Sequence, residues 1–471
     1  MQRLNRGMMR RYDIPERRPE RVNAVQFGMD ETMLGIVDRR IDDVAPGIGI
    51  ACVAAGEAAA AKALRAQDGM YTLLVRGYEG ESPVRREQVV QRIAEVIDPE
   101  EDFGALTSLA LRPELALGLA NTEGPAAELA LTLAARLLAA RFREGLPGLD
   151  FLCAGDTADC ARRAAAFIGR VGAGWGLGAD FAAWLGGENR FYPMLADSLA
   201  FRAAPEEAAK VCADMNYADD LLHIAEPFAR LTVGAPQALA ARWGLEGPGI
   251  AFAEDLDPAL ALKHRVFDGV LCALAAPGWL LGCDTLADCM KHERLRAFVG
   301  NAVVRELLPA LPVSREAAAA AVIETFGRLE NPLNDNRVLP SAHHLLRRFE
   351  VGALPAIRAW AEEHFDAPES LSFALAATIM LYAGARRAGD AGRYEVQRGK
   401  LTEALPDDPA RLAVFGALSH DMPPEALAYA ALADRELWRG LDLREIDGLE
   451  SRVTLALAAL QRDPSWLPEG E

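Results

Sequence analysis

One lysine stands inside an otherwise apolar stretch, and an amine in that position can do chemistry. The apolar residues after Lys263 recur at helical spacing: Val266, Phe267, Val270 and Leu271. This spacing predicts a helix whose apolar face enters a core. A lysine partly removed from water loses some preference for its charged form and can act as a general base. The alternative, which the stretch taken alone favours, is a lysine whose ammonium reaches solvent.

Other reactive residue types lack the spacing that their chemistry needs. The seven cysteines are scattered without a CxxC pair, and no second ligand pair follows Cys283 and Cys289 at zinc spacing. We therefore expect buried thiols in a reducing cytosol and infer no metal. The glycine run at 169–178 follows a helical stretch, and no Lys-Ser or Lys-Thr comes after it. It is expected to be a flexible loop and not a phosphate loop.

The charge of the chain excludes some partners. Its 471 residues carry a formal net charge of -18 at pH 7, which opposes binding to nucleic acid and to anionic membranes. Residues 1–21 are rich in arginine but have no apolar run of the kind found in signal peptides, so we expect a solvated arm. A cytoplasmic monomer or small homo-oligomer is expected.

Apolar runs and turn signals predict the elements that position the reactive residues. A strand at 22–27, a helix, and a second strand at 48–53 form the βαβ opening that is typical of a dinucleotide-binding sheet. Further strands are expected at 115–119 and 149–153, with a helix at 127–142 between them. After about residue 247 long helical stretches dominate, including one at 286–308.

The sequence thus predicts an α/β Rossmann-type N-terminal domain followed by an all-α C-terminal domain. The expected boundaries are 1–21 for the arm, 22–247 for the dinucleotide-binding domain and 248–471 for the helical substrate domain. Lys263 falls near the junction, and ligand sites favour such junctions.

Several motifs together resemble one known family, and they extend in order over nearly the whole chain. They are Gln67-Asp68-Gly69-x-Tyr71-Thr72 with Arg76-Gly77, Glu226-Pro227-Phe228, Asn331-Pro332, and Leu371-x-Phe373-Ala374-Leu375-Ala376-Ala377 followed by Tyr382 and Gly384. The chain resembles the mannitol dehydrogenase family of polyol-specific long-chain dehydrogenases, and within it the tagaturonate reductase (altronate oxidoreductase) branch. The resemblance implies a Rossmann-type domain, a helical domain and NAD-linked interconversion of a sugar alcohol or aldonate with its keto form.

The resemblance also implies a catalytic set. The family's lysine is followed by Asn five residues on and by His three further; here Lys263 falls on the lysine, Asp268 replaces the Asn and Leu271 replaces the His. Lys263 is expected to act as general base, with Asp268 and Asp197 holding or tuning it. An ionised Asp268 would repel a developing alkoxide unless it pairs with Lys263 or stays protonated.

A substrate site is implied in the C-terminal domain. A lysine of the family aligns with Arg348, which could grip a carboxylate through two hydrogen bonds. The alternative is an ordinary surface arginine. His344 is a further candidate beside it. The expected partner is a small sugar acid or polyol.

The nucleotide turn departs from the family pattern. By the resemblance, NAD lies against Gly28, Met29 and Asp30, and Glu123 borders the nicotinamide. Asp30, however, replaces the second glycine of the turn. It is expected to cap its own helix and, together with Glu31 in the first turn, to repel a pyrophosphate.

Two hypotheses follow from these observations. The chain is either an NAD-dependent oxidoreductase of a hexuronate-derived sugar acid or polyol, or a catalytically degenerate relative with a binding or regulatory role. Lys263, Asp197, Glu123 and Glu226 are retained at separate points of one expected site. Their retention favours the first hypothesis.

Overall fold

The computed structural model describes residues 1–11, 14–80, 82–333, 336–388 and 393–468. The chain divides into two compact units, Met1–Leu260 and Ala261–Glu471. The first unit is α/β and the second is largely helical, which confirms the predicted fold class. Among the described residues no helix is long and apolar enough to cross a membrane.

An eight-stranded sheet organises the first unit. Its strands are β1 (Ala24–Phe27), β2 (Ile50–Val53), β3 (Ile93–Ile97), β4 (Leu117–Asn121), β5 (Asp150–Ala154), β6 (Arg190–Asp197), β7 (Arg230–Val233) and β8 (Ile250–Phe252). They lie in the order β3, β2, β1, β4, β5, β6, β7, β8, and the first six are parallel. The order reverses between β1 and β4. This switch point is where dinucleotides lie in such folds, beyond the carboxyl ends of the strands.

Strands β1 and β2 are buried throughout, because helices cover both faces of the sheet. Val25 and Phe27 pack on one face with Leu131, whereas Ala24 packs on the other face with Met33. The helices of this unit are Arg6–Arg11, a π-helical turn Met33–Val37 continuing as Asp38–Val44, Ala58–Ala66, Phe103–Ala110, Ala127–Arg143, Cys160–Gly174, Gly178–Glu188, Pro205–Met215, Ala238–Trp243 and Asp257–Ala261. A second sheet contains Ala200–Arg202, His223–Ala225, Tyr71–Glu79 and Ser82–Val90, in that order.

The first eleven residues are packed against the unit. Gln2–Arg3 pairs in parallel with Tyr217–Ala218, and Leu4, Met8 and Met9 are buried. The expectation of a solvated arm is therefore wrong for residues 1–11. Apolar side chains between the arginines form a small core with Tyr217, and burying them favours the packed arrangement.

The glycine run is helical and not a flexible loop, so that expectation is also wrong. Helix Cys160–Gly174 contains Gly169 and Gly172, and helix Gly178–Glu188 follows it closely. A Cβ at Gly172 would lie 2.3 Å from Cε1 of Phe181. The glycine is there because the second helix packs against the first at that point.

The second unit consists mostly of helices. They are Leu262–Asp268 (π), Gly269–Leu280, Leu286–Lys291, Glu293–Asn301, Ala302–Leu307 (π), Leu308–Ala310 (3₁₀), Arg315–Leu329, Val338–Ser341, Leu345–Arg348, Phe349–Ala353 (π), Leu354–His364, Glu369–Ala383, Pro409–Phe415, Pro424–Ala433, Leu443–Glu445 (3₁₀) and Leu449–Arg462. A small antiparallel sheet accompanies them, formed by Arg386–Ala388, Arg393–Arg398 and Leu401–Ala404.

One predicted helix of this unit is interrupted, and side chains cap two other helices. The stretch 286–308 breaks at His292, whose Nδ1 accepts a hydrogen bond from the Leu295 N–H (3.3 Å) and so caps a new helix. Ser314 caps its helix through its Oγ, and Asp408 caps the helix that begins at Pro409.

Candidate functional site

Lys263 lies on a π-helical turn that directs its amine at Asp268. The segment Leu262–Asp268 is a π-helix, a rare form that occurs often at functional sites. The Nζ atom of Lys263 lies 2.9 Å from Oδ2 of Asp268. Side chains five residues apart point about 140° from one another on an α-helix, and the wider π turn brings them to one side. The ammonium is thus paired with an almost wholly buried carboxylate, while 13% of the lysine side chain is exposed.

Arg348 binds the other oxygen of the same carboxylate, through Nη1 and Oδ1 of Asp268. The two residues are 80 positions apart in the chain. They meet because the π turn Phe349–Ala353 packs closely on the Lys263 helix at Gly352, where a Cβ would lie 2.6 Å from the carbonyl oxygen of His264. Arg348 is 8% exposed, so the interpretation as a surface arginine is wrong.

These residues form an ionic group, here called the Asp268 cluster: Asp268, Lys263, His264 and Arg348. Burial raises the pKa of Asp268, but the charges of Lys263 and Arg348 and the hydrogen bond from His264 outweigh it and hold that pKa well below its ordinary value. His264 Nδ1 lies 2.8 Å from Oδ2 of Asp268. An ionised carboxylate only accepts, so Nδ1 carries the proton. Lys263 and Arg348 supply two positive charges and Asp268 supplies one negative charge. With His264 counted as neutral, the cluster carries one excess positive charge.

His343 contacts the guanidinium of Arg348, whereas the predicted neighbour His344 is bonded to Arg348 through the backbone (3.0 Å). The Arg348 Nε donates to the His343 carbonyl oxygen (2.9 Å), and Arg348 Nη2 lies 3.4 Å from His343 Nε2. His344 has a left-handed backbone (φ 54°) and an exposed side chain, and its substrate role stays a prediction. Sequence reasoning missed His343 and His264. The position of His264 four residues before Asp268 on a helix was the available signal.

The glycine turn after β1 is tied to the end of β2 by an unpredicted acid. Gly28 has φ +95°, a conformation that favours glycine. Met29 is buried in the core beneath the turn, and its N–H donates to Oε1 of Glu57 (3.1 Å). Oε2 of Glu57 accepts from the Ala55 N–H (2.5 Å). The signal for Glu57 was an acid soon after the second strand of a βαβ unit.

Asp30 caps the helix that contains the π turn Met33–Val37, as predicted. Its Oδ1 accepts from the Met33 N–H (3.0 Å). Its Oδ2 accepts from Nδ2 of Asn121 (3.1 Å), the last residue of β4. The carboxylate therefore reaches from the turn after β1 to the end of β4, across the switch point of the sheet.

Glu123, expected to border a nicotinamide, is held by other groups. Its Oε1 accepts from Nη2 of Arg163 (3.0 Å), and its N–H donates to Oδ1 of Asn121 (3.1 Å). The two bonds of Asn121 fix the orientation of its amide. The predicted role of Glu123 is untested by these contacts and stays a prediction.

Asp197 is the last residue of β6 and lies in the first unit, opposite Arg230 on β7. Its expected influence on Lys263 stays a prediction. Leu271, which replaces the family histidine, is fully buried and offers no side-chain hydrogen bond. Among the described residues, no three His, Cys, Asp or Glu side chains are grouped so that they could hold a metal ion.

The strand order, its switch point and the helical second unit define a two-unit Rossmann-type protein. A scan against family models gives no match. The chain is 28% identical over 486 residues to an altronate oxidoreductase of Klebsiella pneumoniae (strain 342) and 26% identical over 487 residues to one of Shigella flexneri; each match covers 96% of this chain and 97% of the relative.

Two solved structures share the fold. One is the Pseudomonas fluorescens mannitol 2-dehydrogenase in ternary complex with NAD and D-mannitol: TM-score 0.76, 16% identity, covering 94% of this chain and 92% of that one. The other is a D-sorbitol dehydrogenase in substrate-free form: TM-score 0.69, 15% identity, covering 98% of this chain and 99% of that one. The similarity to altronate oxidoreductases over nearly the full chain and the fold shared with these two dehydrogenases agree with the resemblance to the mannitol dehydrogenase family that the motifs indicated.

The turn residues do not fit the dinucleotide that such a fold implies. A pyrophosphate needs backbone N–H groups of the glycine turn and of the helix start. Here the Met29 N–H is bonded to Glu57 and the Met33 N–H to Asp30. Glu31 adds a third carboxylate at the same helix start. Two backbone donors of this turn are therefore occupied by carboxylates, and three acidic side chains lie at the turn.

Proposed function

We propose that the chain is a nicotinamide-dependent oxidoreductase acting on a hexuronate-derived sugar acid or a related polyol. The observation that carries the proposal is the Asp268 cluster, where an amine and a guanidinium converge within one largely buried group. Its excess positive charge suits a substrate that carries a carboxylate. The full-length similarity to altronate oxidoreductases supports the same substrate class.

Within this proposal Lys263 is a proton donor. An adjacent carboxylate favours the charged form of an amine, so the Lys263–Asp268 pair supplies an ammonium. Reduction of a ketone adds a hydride to carbon and a proton to oxygen, and the ammonium is the group suited to the second transfer. The proposal therefore favours reduction of a keto acid over oxidation of an alcohol at neutral pH.

Turnover assays test this function. The purified chain is assayed for NADH oxidation with tagaturonate, fructuronate and a keto-hexose, and for NAD⁺ reduction with the matching alcohols. Lys263→Ala is expected to lower kcat by roughly a thousandfold or more, since general acid–base catalysis contributes about that much. Lys291→Ala removes an exposed lysine of the same unit and serves as the control. Unchanged turnover in Lys263→Ala would remove Lys263 from the mechanism.

A second candidate function is binding or regulation without turnover. One observation favours it: Asp268 already neutralises one cation of its cluster and bonds both Lys263 and Arg348. If calorimetry shows sugar-acid binding by a chain that turns over none of the substrates with either form of the cofactor, this second function replaces the first.

A further inference from the structure

The side chain of Asp30 spans the place where the sheet opens for a ligand. In β1 and β4, Phe27 pairs with Ala120, so the next residues of both strands leave the sheet side by side. Asp30 follows β1 and Asn121 ends β4, and the two side chains are hydrogen bonded at 3.1 Å. The bond joins residues 91 positions apart in the chain. It therefore bridges the crevice at the switch point.

The same carboxylate also occupies one of the backbone donors that a bound anion could use. Its other oxygen accepts from the Met33 N–H at 3.0 Å, one of the N–H groups at the helix start that have no partner within the helix. A helix start with such N–H groups free attracts phosphate. Asp30 supplies its own negative charge at that point.

The other two acids at the turn are placed differently. Glu57 is bonded by the N–H groups of Met29 and Ala55, which ties it to the β2 side of the turn. Glu31 is exposed, where solvent and salt weaken its effect. Asp30 is the acid that contacts both β4 and the helix start.

We propose that Asp30 is an internal anion that closes the dinucleotide crevice of this chain by occupying the Met33 N–H and the Asn121 amide. The inference rests on the proposed function, because it concerns the dinucleotide which that function requires. Binding of a pyrophosphate then requires the Asp30–Asn121 bond to break and the carboxylate to leave the helix start. The unmodified chain binds the dinucleotide weakly, and removing the carboxylate restores binding.

A graded set of variants of the full chain tests the proposal, with NADH as the probe and calorimetry or NADH fluorescence as the readout. Asp30→Gly removes both the charge and the bridge. Asp30→Asn removes the charge but keeps a side chain that can cap the helix. Asp102 caps helix Phe103–Ala110 in the same way, through the Ala105 N–H at 3.1 Å, so Asp102→Gly is the matched control.

Asp30→Gly is expected to lower the Kd for NADH at least about tenfold, with Asp30→Asn in between and Asp102→Gly unchanged. Tight NADH binding by the unmodified chain, equal to that of Asp30→Gly, would overturn the proposal. A gain in Glu57→Gln without a gain at Asp30 would overturn it in favour of Glu57. Circular dichroism verifies folding; if Asp30→Gly is unfolded, Asp30→Asn decides, and no gain in that variant overturns the proposal.

The result is separable from the turnover assay. Variants that gain NADH affinity but convert none of the sugar acids would remove the proposed function and leave the closure standing. An unmodified chain that binds NADH tightly and reduces a sugar acid would overturn the closure and support the proposed function.

Discussion

Asp268 and Asp30 are carboxylates at positions where the family pattern has uncharged residues. The surroundings of the two residues shift their pKa values in opposite directions. Asp268 in the second unit is paired with Lys263 and Arg348, and its pKa lies well below the ordinary value. Asp30 in the first unit is bonded by a backbone N–H and an amide. Burial raises the pKa of Asp30 more than these bonds lower it. At Asp268 the charged partners outweigh burial and lower the pKa, whereas at Asp30 the uncharged partners leave burial as the larger effect.

The contrast extends to Asp38, which lies fully buried beneath the glycine turn. Its Oδ2 accepts from Nε2 of Gln26 (3.3 Å) and lies 3.4 Å from the hydroxyl of Tyr71. Burial raises the pKa of Asp38 to about 8, and these two uncharged partners offset only part of the shift. The first unit thus holds two carboxyl groups with raised pKa values at one turn.

The largest effect is expected for Asp38→Asn, which should change how the free energy of unfolding depends on pH. The unfolded chain ionises this residue near pH 4, whereas the folded chain keeps its proton until about pH 8. The contribution of Asp38 to stability is therefore fully present below the unfolded pKa and is lost as pH rises toward 8. Between pH 5 and pH 8 the loss is about 4 kcal/mol.

Urea unfolding of both proteins at pH 5 and at pH 8 measures this effect. Asp38→Asn should lose less stability between pH 5 and pH 8 than the unmodified chain. Comparing the slopes of stability against pH in the two proteins separates the contribution of Asp38 from that of the other titrating groups. Equal slopes would mean that Asp38 is ionised in the folded protein and would end the contrast with Asp268.

Replacing Asp268 by asparagine should change the pH dependence of stability in the opposite direction. Asp268→Asn leaves Lys263 and Arg348 without their anion, and breaking a buried ion pair from one side costs about 3 kcal/mol at pH 7. This stabilisation is present above the unfolded pKa and is lost as pH falls through the depressed folded pKa. The deficit of the variant should therefore shrink in strong acid.

Asp284→Asn is the control for Asp268, since Asp284 also pairs with an arginine, Arg398, but is largely exposed. Exposed ion pairs contribute less than about 1 kcal/mol. Urea midpoints of the two variants at pH 7 give the comparison. A loss in Asp268→Asn no larger than that in Asp284→Asn would contradict the buried ion pair.

The sequence predicted features that depend on neighbours in the chain. Apolar runs predicted β1 and β2. The replacement of the family asparagine by Asp268 suggested a pairing with Lys263 as one possibility, and the π turn brings the two side chains together. Contacts between residues far apart in the chain could not be predicted, because no local sequence pattern indicates them. The bond from Arg348 to Asp268 and the bond from Asn121 to Asp30 are examples.

Local charge also misled the sequence interpretation. The arginines at the start of the chain suggested solvent exposure, while Leu4, Met8 and Met9 between them are buried. Glycines at 169–178 suggested flexibility, although most of that run is helical and Gly172 allows close packing between two helices. In both places the prediction followed local composition, whereas the structure depends on how a few side chains pack.

The smallest effect is expected for Asp30→Asn, measured by the same urea unfolding at pH 7. Asparagine can keep the cap on the Met33 N–H, and no cation loses a partner, so stability should change by less than about 1 kcal/mol. Because the folded pKa of Asp30 is raised, its contribution falls as pH rises above the unfolded pKa, and the variant should be the more stable protein at neutral pH. A loss as large as that of Asp268→Asn would mean that a positive partner stabilises the Asp30 carboxylate. The two carboxylates would then be alike, and the closure of the crevice would need a cation as well as Asn121.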